Sequence, residues 1–116
     1  MVAVQQGNES DVAALIAAGA NPDMATNEGW TALMLAAQDG REPVALALLE
    51  AGSNLEATQN QGFTALMISA QNGHEQVALA LLEAKADPNM ATTDGKTALM
   101  AAANFGHEQV ALALLE

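Results

Sequence analysis

The feature that most constrains this chain is that it repeats itself. Thr31-Ala32-Leu33-Met34 returns as Thr64-Ala65-Leu66-Met67 and again as Thr97-Ala98-Leu99-Met100, a step of 33 residues each time. The glycines keep the same step: Gly29, Gly62 and Gly95 lie two residues before each Thr, Gly40, Gly73 and Gly106 lie nine after it, and Gly7 stands one period earlier. His74 to Glu83 recurs unchanged as His107 to Glu116. Such a register means stacked copies of one unit, none of which can bury its apolar face without a neighbour.

Within a unit the pattern reads as turn, short helix, turn, second helix. Asn27-Glu28-Gly29, Asn60-Gln61-Gly62 and Thr93-Asp94-Gly95 have the polar, glycine-ended chemistry of tight turns. Each Thr that follows is placed as an N-cap, and Ala, Leu and Met carry the helix to the next Gly. A helix of about two turns is marginal alone in water, so its neighbours must support it. The second helix runs from about Pro43 to Glu50, with equivalents from Gln76 to Glu83 and Gln109 to Glu116. Pro43 sits in a first turn that tolerates a missing N–H. Val44, Leu48 and Leu49, repeated as Val77, Leu81, Leu82 and Val110, Leu114, Leu115, form one apolar stripe. Gly19 and Gly52 close this helix in the left-handed conformation.

Composition agrees with helices. Hydrophobic residues make up 51% of the chain, yet it holds only one Trp, two Phe and no Tyr. Ala, Leu, Val and Met must fill the core, which suits close helix packing better than a large sheet. The absence of cysteine excludes disulfides, thiolate metal sites and a thiol nucleophile. A net charge of −11 repels phosphate backbones, so neither nucleic acid nor an anionic membrane surface is expected as a partner. With no secretory signal in the first residues and no apolar run of about 18 residues, the expectation is a cytoplasmic protein.

At these residues the chain resembles the ankyrin repeat family. The marks are the period, the Gly-x-Thr turn, the Thr-x-Leu start of the first helix, Gly73-His74 and Gly106-His107, and the Leu81 to Asn89 ending Leu-Leu-Glu-Ala-x-Ala-Asp-Pro-Asn. The resemblance implies an all-α, ankyrin-type α-solenoid of helix-turn-helix repeats joined by β-hairpin or turn connections. One continuous domain is expected, with a partial N-terminal repeat at 1–24, full repeats at 25–57 and 58–90, and a last repeat at 91–116 that ends after its second helix. Ala32, Ala65 and Ala98 replace the family's usual Pro, and Met34, Met67 and Met100 replace a His that ties neighbouring turns; Met should fill that space by packing. Thr26, Gln59 and Thr92 stand where the family places Asp, so the turn network must be made differently. Lys85 occupies the position of Gly19 and Gly52, where a left-handed residue with a Cβ costs about 1–2 kcal/mol.

The resemblance also implies a non-catalytic module that binds a protein partner in a concave groove lined by hairpin tips and first helices. Position by position, the groove would present Asn27, Glu28 and Trp30; Asn60, Gln61 and Phe63; and Thr93, Asp94 and Lys96, flanked by Ala25 and Thr58. Gln38, Asp39, Gln71, Asn72, Asn104 and Phe105 would lie deeper on the same face. All three aromatics map here, where clustered rings are typical binding anchors. The alternative is that each ring covers its own hairpin, in a structural segment of a longer array or an engineered repeat scaffold. Val110, Leu112, Leu114 and Leu115 would lie on an uncovered final helix, which points either to a longer array or to self-association through that helix; the stop within a unit favours the array.

Nothing else in the sequence carries chemistry. His74 and His107 are one period apart, too far to ligate one metal ion, and a turn-bracing role is expected for them. Glu75 and Glu108 repeat at the same interval and form no convergent pair. Ser10, Ser53 and Ser69 have no visible His-acid partner, and there is no phosphate loop or zinc spacing. No catalytic residue, metal or cofactor is expected.

Overall fold

The computed structural model describes residues 21–115. It contains six helices, α1 (Ala32–Asp39), α2 (Glu42–Glu50), α3 (Ala65–Asn72), α4 (Glu75–Glu83), α5 (Ala98–Asn104) and α6 (Glu108–Leu115). Each pair follows from the same local chemistry. Thr31, Thr64 and Thr97 are the N-caps of α1, α3 and α5, their hydroxyls accepting from the N–H groups of Met34, Met67 and Met100 at 3.2, 3.3 and 3.3 Å. Gly40 and Gly73 end α1 and α3 at φ 70° and 71°, a left-handed geometry that glycine adopts without a Cβ clash. Pro43 lies in the first turn of α2, where its missing N–H has no intrahelical partner to lose.

The helices form two rows. α1, α3 and α5 pack side by side, α2, α4 and α6 pack behind them, and each first helix rests on the second helix of its own unit. Two-turn helices persist because the helices beside and behind them bury them. Leu33, Met34, Val44 and Leu48, with Leu66, Met67, Val77 and Leu81, form one continuous core, each fully buried aliphatic side chain contributing about 1.5–3 kcal/mol. Met34 and Met67 fill the space expected of them. The buried Ser69 hydroxyl is satisfied by the Leu66 carbonyl at 2.8 Å.

Several expectations about the ends need adjusting. Val110 is buried at 1% exposure and Leu114 is partly buried, because α5 covers that side of α6; only Leu112 and Leu115, at 50% and 66%, face out. Gly19 and nearly all of the proposed 1–24 unit lie outside the described residues. Among those described, the hairpin connections contain no strand, only one antiparallel bridge between Ala25 and Thr31.

His74 explains the Gly-His spacing. Its Nε2 donates to the Gln38 carbonyl of the preceding unit at 3.0 Å. The ring then lies over Gly40, where a Cβ would sit 2.6 Å from Nδ1. His107 covers Gly73 in the same way, at 2.5 Å. Lys85 adopts φ 76°, alone among non-glycine residues in the described chain, beside Gly52 at 84° in the preceding unit.

Candidate functional site

The face opposite the second helices is built by three successive turns. In each, the first residue's N–H donates across to the fifth residue's carbonyl: Thr26 to Trp30 at 2.9 Å, Gln59 to Phe63 at 3.2 Å and Thr92 to Lys96 at 2.8 Å. The side chains that replace the family's Asp keep its acceptor role. Thr26 Oγ1 accepts from Trp30 N–H at 3.1 Å. Gln59 Oε1 accepts from Gln61 and Phe63 N–H at 2.7 and 3.0 Å. Thr92 Oγ1 accepts from Asp94 and Lys96 N–H at 3.3 and 3.1 Å.

Adjacent turns are locked by their backbones. Asn60 N–H donates to the Glu28 carbonyl at 2.9 Å, and Thr93 N–H to the Gln61 carbonyl at 3.2 Å. This approach requires glycine: a Cβ on Gly29 would lie 2.9 Å from Gln59 Cα, and one on Gly62 2.9 Å from Thr93 N. The side chains of Asn27, Glu28, Asn60, Gln61, Thr93 and Asp94 therefore stand exposed at the tips of a fixed ladder. Deeper on the same side, Asn72 Nδ2 donates to the Gln38 carbonyl at 3.5 Å. Gln38, Asp39 and Asn104 are exposed, and Gln71 is half-buried.

The three rings are not alike. Trp30 and Phe63 are half-buried and pack against the core, so each covers its own turn while leaving one side open. Phe105 is 54% exposed at the end of α5, its ring stacked near His107 with centroids 6.4 Å apart.

Two hollows lie along this face. The smaller, about 210 Å³, runs between Trp30 and Phe63 and is lined by Gln38, Gln59, Gln61, Ile68, Gln71 and Asn72. The larger, about 620 Å³, lies between α3 and α5, with Phe63, Gln71, Lys96, Asn104 and Phe105 among its walls. Thr92, Thr97, Met67, Met100, Ala101 and Ala103 also line it, and sequence reasoning did not mark them. A signal for Ala101 was present: its equivalents are Leu35 and Ile68.

Comparing the units with one another shows where the chain varies. Val44 to Glu50 is identical in all three second helices. Between residues 58–83 and 91–116, every difference falls in the turn, in the first helix or at its C-cap. Among the described residues, no group of three or more His, Asp or Glu is placed to hold a metal ion, and no helix is long and apolar enough to cross a membrane.

A family model for ankyrin repeats in three copies matches residues 1–92, and one for ankyrin repeats in many copies matches residues 73–115. The search of curated proteins gives no match. The first of these models spans well over half of the chain, and the chain belongs to the ankyrin repeat family.

Proposed function

We propose that the chain captures a protein partner on the face formed by its turns and first helices, and does so without catalysis. Ankyrin repeats are in general protein-protein interaction modules and not enzymes. The observation that carries the reading here is the distribution of difference between units. The second helices, which hold the stack together, differ only where Pro43 stands in place of Gln76 and Gln109, whereas the turns and first helices diverge in size, charge and aromatic content. A purely structural segment has no need for that contrast. The contact set comprises Trp30, Phe63 and Phe105 as apolar anchors, Lys96, Glu28, Asp39 and Asp94 as charges, and Asn27, Asn60, Gln61, Thr93, Gln38, Gln71, Asn72 and Asn104 as polar contacts. The repeats divide at 25–57, 58–90 and 91–116.

A photo-crosslinking side chain installed at Asn60, on an exposed tip, and separately at Glu83, on the exposed end of α4, tests this directly in lysate of the source cells. Adducts with one protein at Asn60 and none at Glu83 are expected, and they should be lost on replacing Trp30 and Phe63 by Ala with helical circular dichroism retained. Adducts at neither position would favour the structural reading; adducts at Glu83 alone would place the partner on the back. A dimer crosslinked at neither site but abolished by Leu115→Glu would instead identify self-association through α6.

A further inference from the structure

The third unit departs from the other two at positions that converge on one place. Lys96 stands where the preceding units carry Trp30 and Phe63, Ala101 where they carry Leu35 and Ile68, and Phe105 where they carry Asp39 and Asn72. All three line the 620 Å³ hollow. In the first two units the branched side chain at this position is itself buried, 7% exposed for Leu35 and 5% for Ile68. Its truncation to Ala opens apolar space that the repeat otherwise fills. Met67 and Met100 offer soft, polarisable walls, and Phe63 and Phe105 flat ones.

Charge along the face is ordered as well. The first unit carries Glu28 and Asp39, the second shows only neutral Asn60, Gln61, Gln71 and Asn72, and the third places Lys96 on the wall of the hollow. Asp94 belongs to the same turn but sits at its exposed tip and does not line the hollow. Lys96 is the only cation lining either hollow of this face among the described residues. Helices in such a stack are spaced by about 10 Å, so the acidic and basic ends lie about 20 Å apart.

Resting on the partner-binding reading above, we propose that the hollow is an anchor pocket for a polypeptide segment that carries a large apolar residue beside an Asp or Glu. The apolar side chain fills the volume that Ala101 leaves, the carboxylate meets Lys96, and the segment continues over Phe63 towards Glu28 and Asp39, where a Lys or Arg is favoured. Because Phe63 and Gln71 line both hollows, the surface is continuous and suits an extended occupant more than a compact small molecule.

The test is selection of short random peptides displayed on phage against the full chain, followed by fluorescence-anisotropy titration of the selected peptides. Selected sequences should pair Asp or Glu with a neighbouring Leu, Ile, Met, Phe or Trp. Ala101→Leu restores the residue type of the other units, so its melting temperature should be unchanged or higher, yet it should weaken binding by at least about tenfold. Lys96→Glu should weaken it by about fivefold or more. Peptides without the acidic-apolar pairing, or binding indifferent to Ala101→Leu, overturn the proposal. If affinity falls with Trp30→Ala and not with Ala101→Leu, the face binds partners but not through this pocket. If no peptide is selected, the anchor-pocket proposal fails, whereas the partner-binding reading fails only if crosslinking at Asn60 also gives no adduct. A wild-type dimer dissolved by Ala101→Leu would make the occupant a second copy, which also overturns the proposal.

Discussion

Replacing Lys85 by glycine should stabilise the protein, and the structure allows the size of the effect to be worked out. Lys85 holds φ 76°, a conformation that brings Cβ against the carbonyl oxygen and costs about 1–2 kcal/mol. Glycine removes that strain but frees the unfolded chain, which returns about 0.5–1 kcal/mol. The net gain is about 0.5–1 kcal/mol, or roughly 2–5 °C in melting temperature for a domain of this size. Gly52, one unit earlier, supplies the mirror experiment. Its φ is 84° and nothing lies within 4 Å of an added Cβ, so Gly52→Ala should lose a similar amount through backbone strain alone. Lys85→Ala controls for charge, since it removes the cation and keeps the Cβ; no comparable gain is expected from it. Thermal melts by circular dichroism, with urea midpoints at constant m-value, measure all three. A Lys85→Gly protein that melts at or below the wild-type temperature, or equal gains from Gly and Ala, would refute the strain argument.

Two further substitutions probe how the units are joined. Gly29→Ala and Gly95→Ala impose the same strained φ, near 87° and 81°, but only the first drives a Cβ to 2.9 Å from backbone of the next turn. Gly29→Ala should therefore cost at least about 1 kcal/mol more than Gly95→Ala in denaturant melts, and equal costs would mean the turns are not in rigid contact. Thr64→Ala removes a buried N-cap acceptor from Met67 N–H, with an expected loss of about 1 kcal/mol. Thr64→Ser should retain most of that stability, and a Ser variant as weak as Ala would exclude the hydroxyl as the cause.

The fold was legible because its decisive residues act locally. A Thr before Ala-Leu-Met caps a helix whatever surrounds it, a Gly nine residues on ends it, and Lys85 reveals its left-handed backbone by standing in a glycine's register. Burial was less legible because it depends on neighbours. Val110 reads as bare on its own helix, yet α5 covers it. Met34, Met67 and Met100 are identical in sequence context, but Met67 is 2% exposed and Met100 54%, since α5 has no further helix beside it among the described residues. The rings fall between these cases: their face was readable from the register, while the half-burial of Trp30 and Phe63 needed the position of the next turn. The larger hollow was missed because it is made by a short side chain. An alanine in an alanine-rich helix attracts no notice until its counterparts in the other units are seen to be Leu and Ile.

The sameness of the second helices has a kinetic consequence. Because His74 to Glu83 and His107 to Glu116 are one sequence, a collapsing chain meets two segments that fit the groove behind α3 equally well. Seating the later one there skips a unit and puts residues 73–107 in the connection from α3 in place of residues 73–74, about four doublings of loop length and a closure penalty of about 2.5 kcal/mol. Loop closure thus favours the native order, and the turns reinforce it, because their distinct side chains and glycine contacts admit one order of stacking; the variable face also acts as the chain's index during assembly.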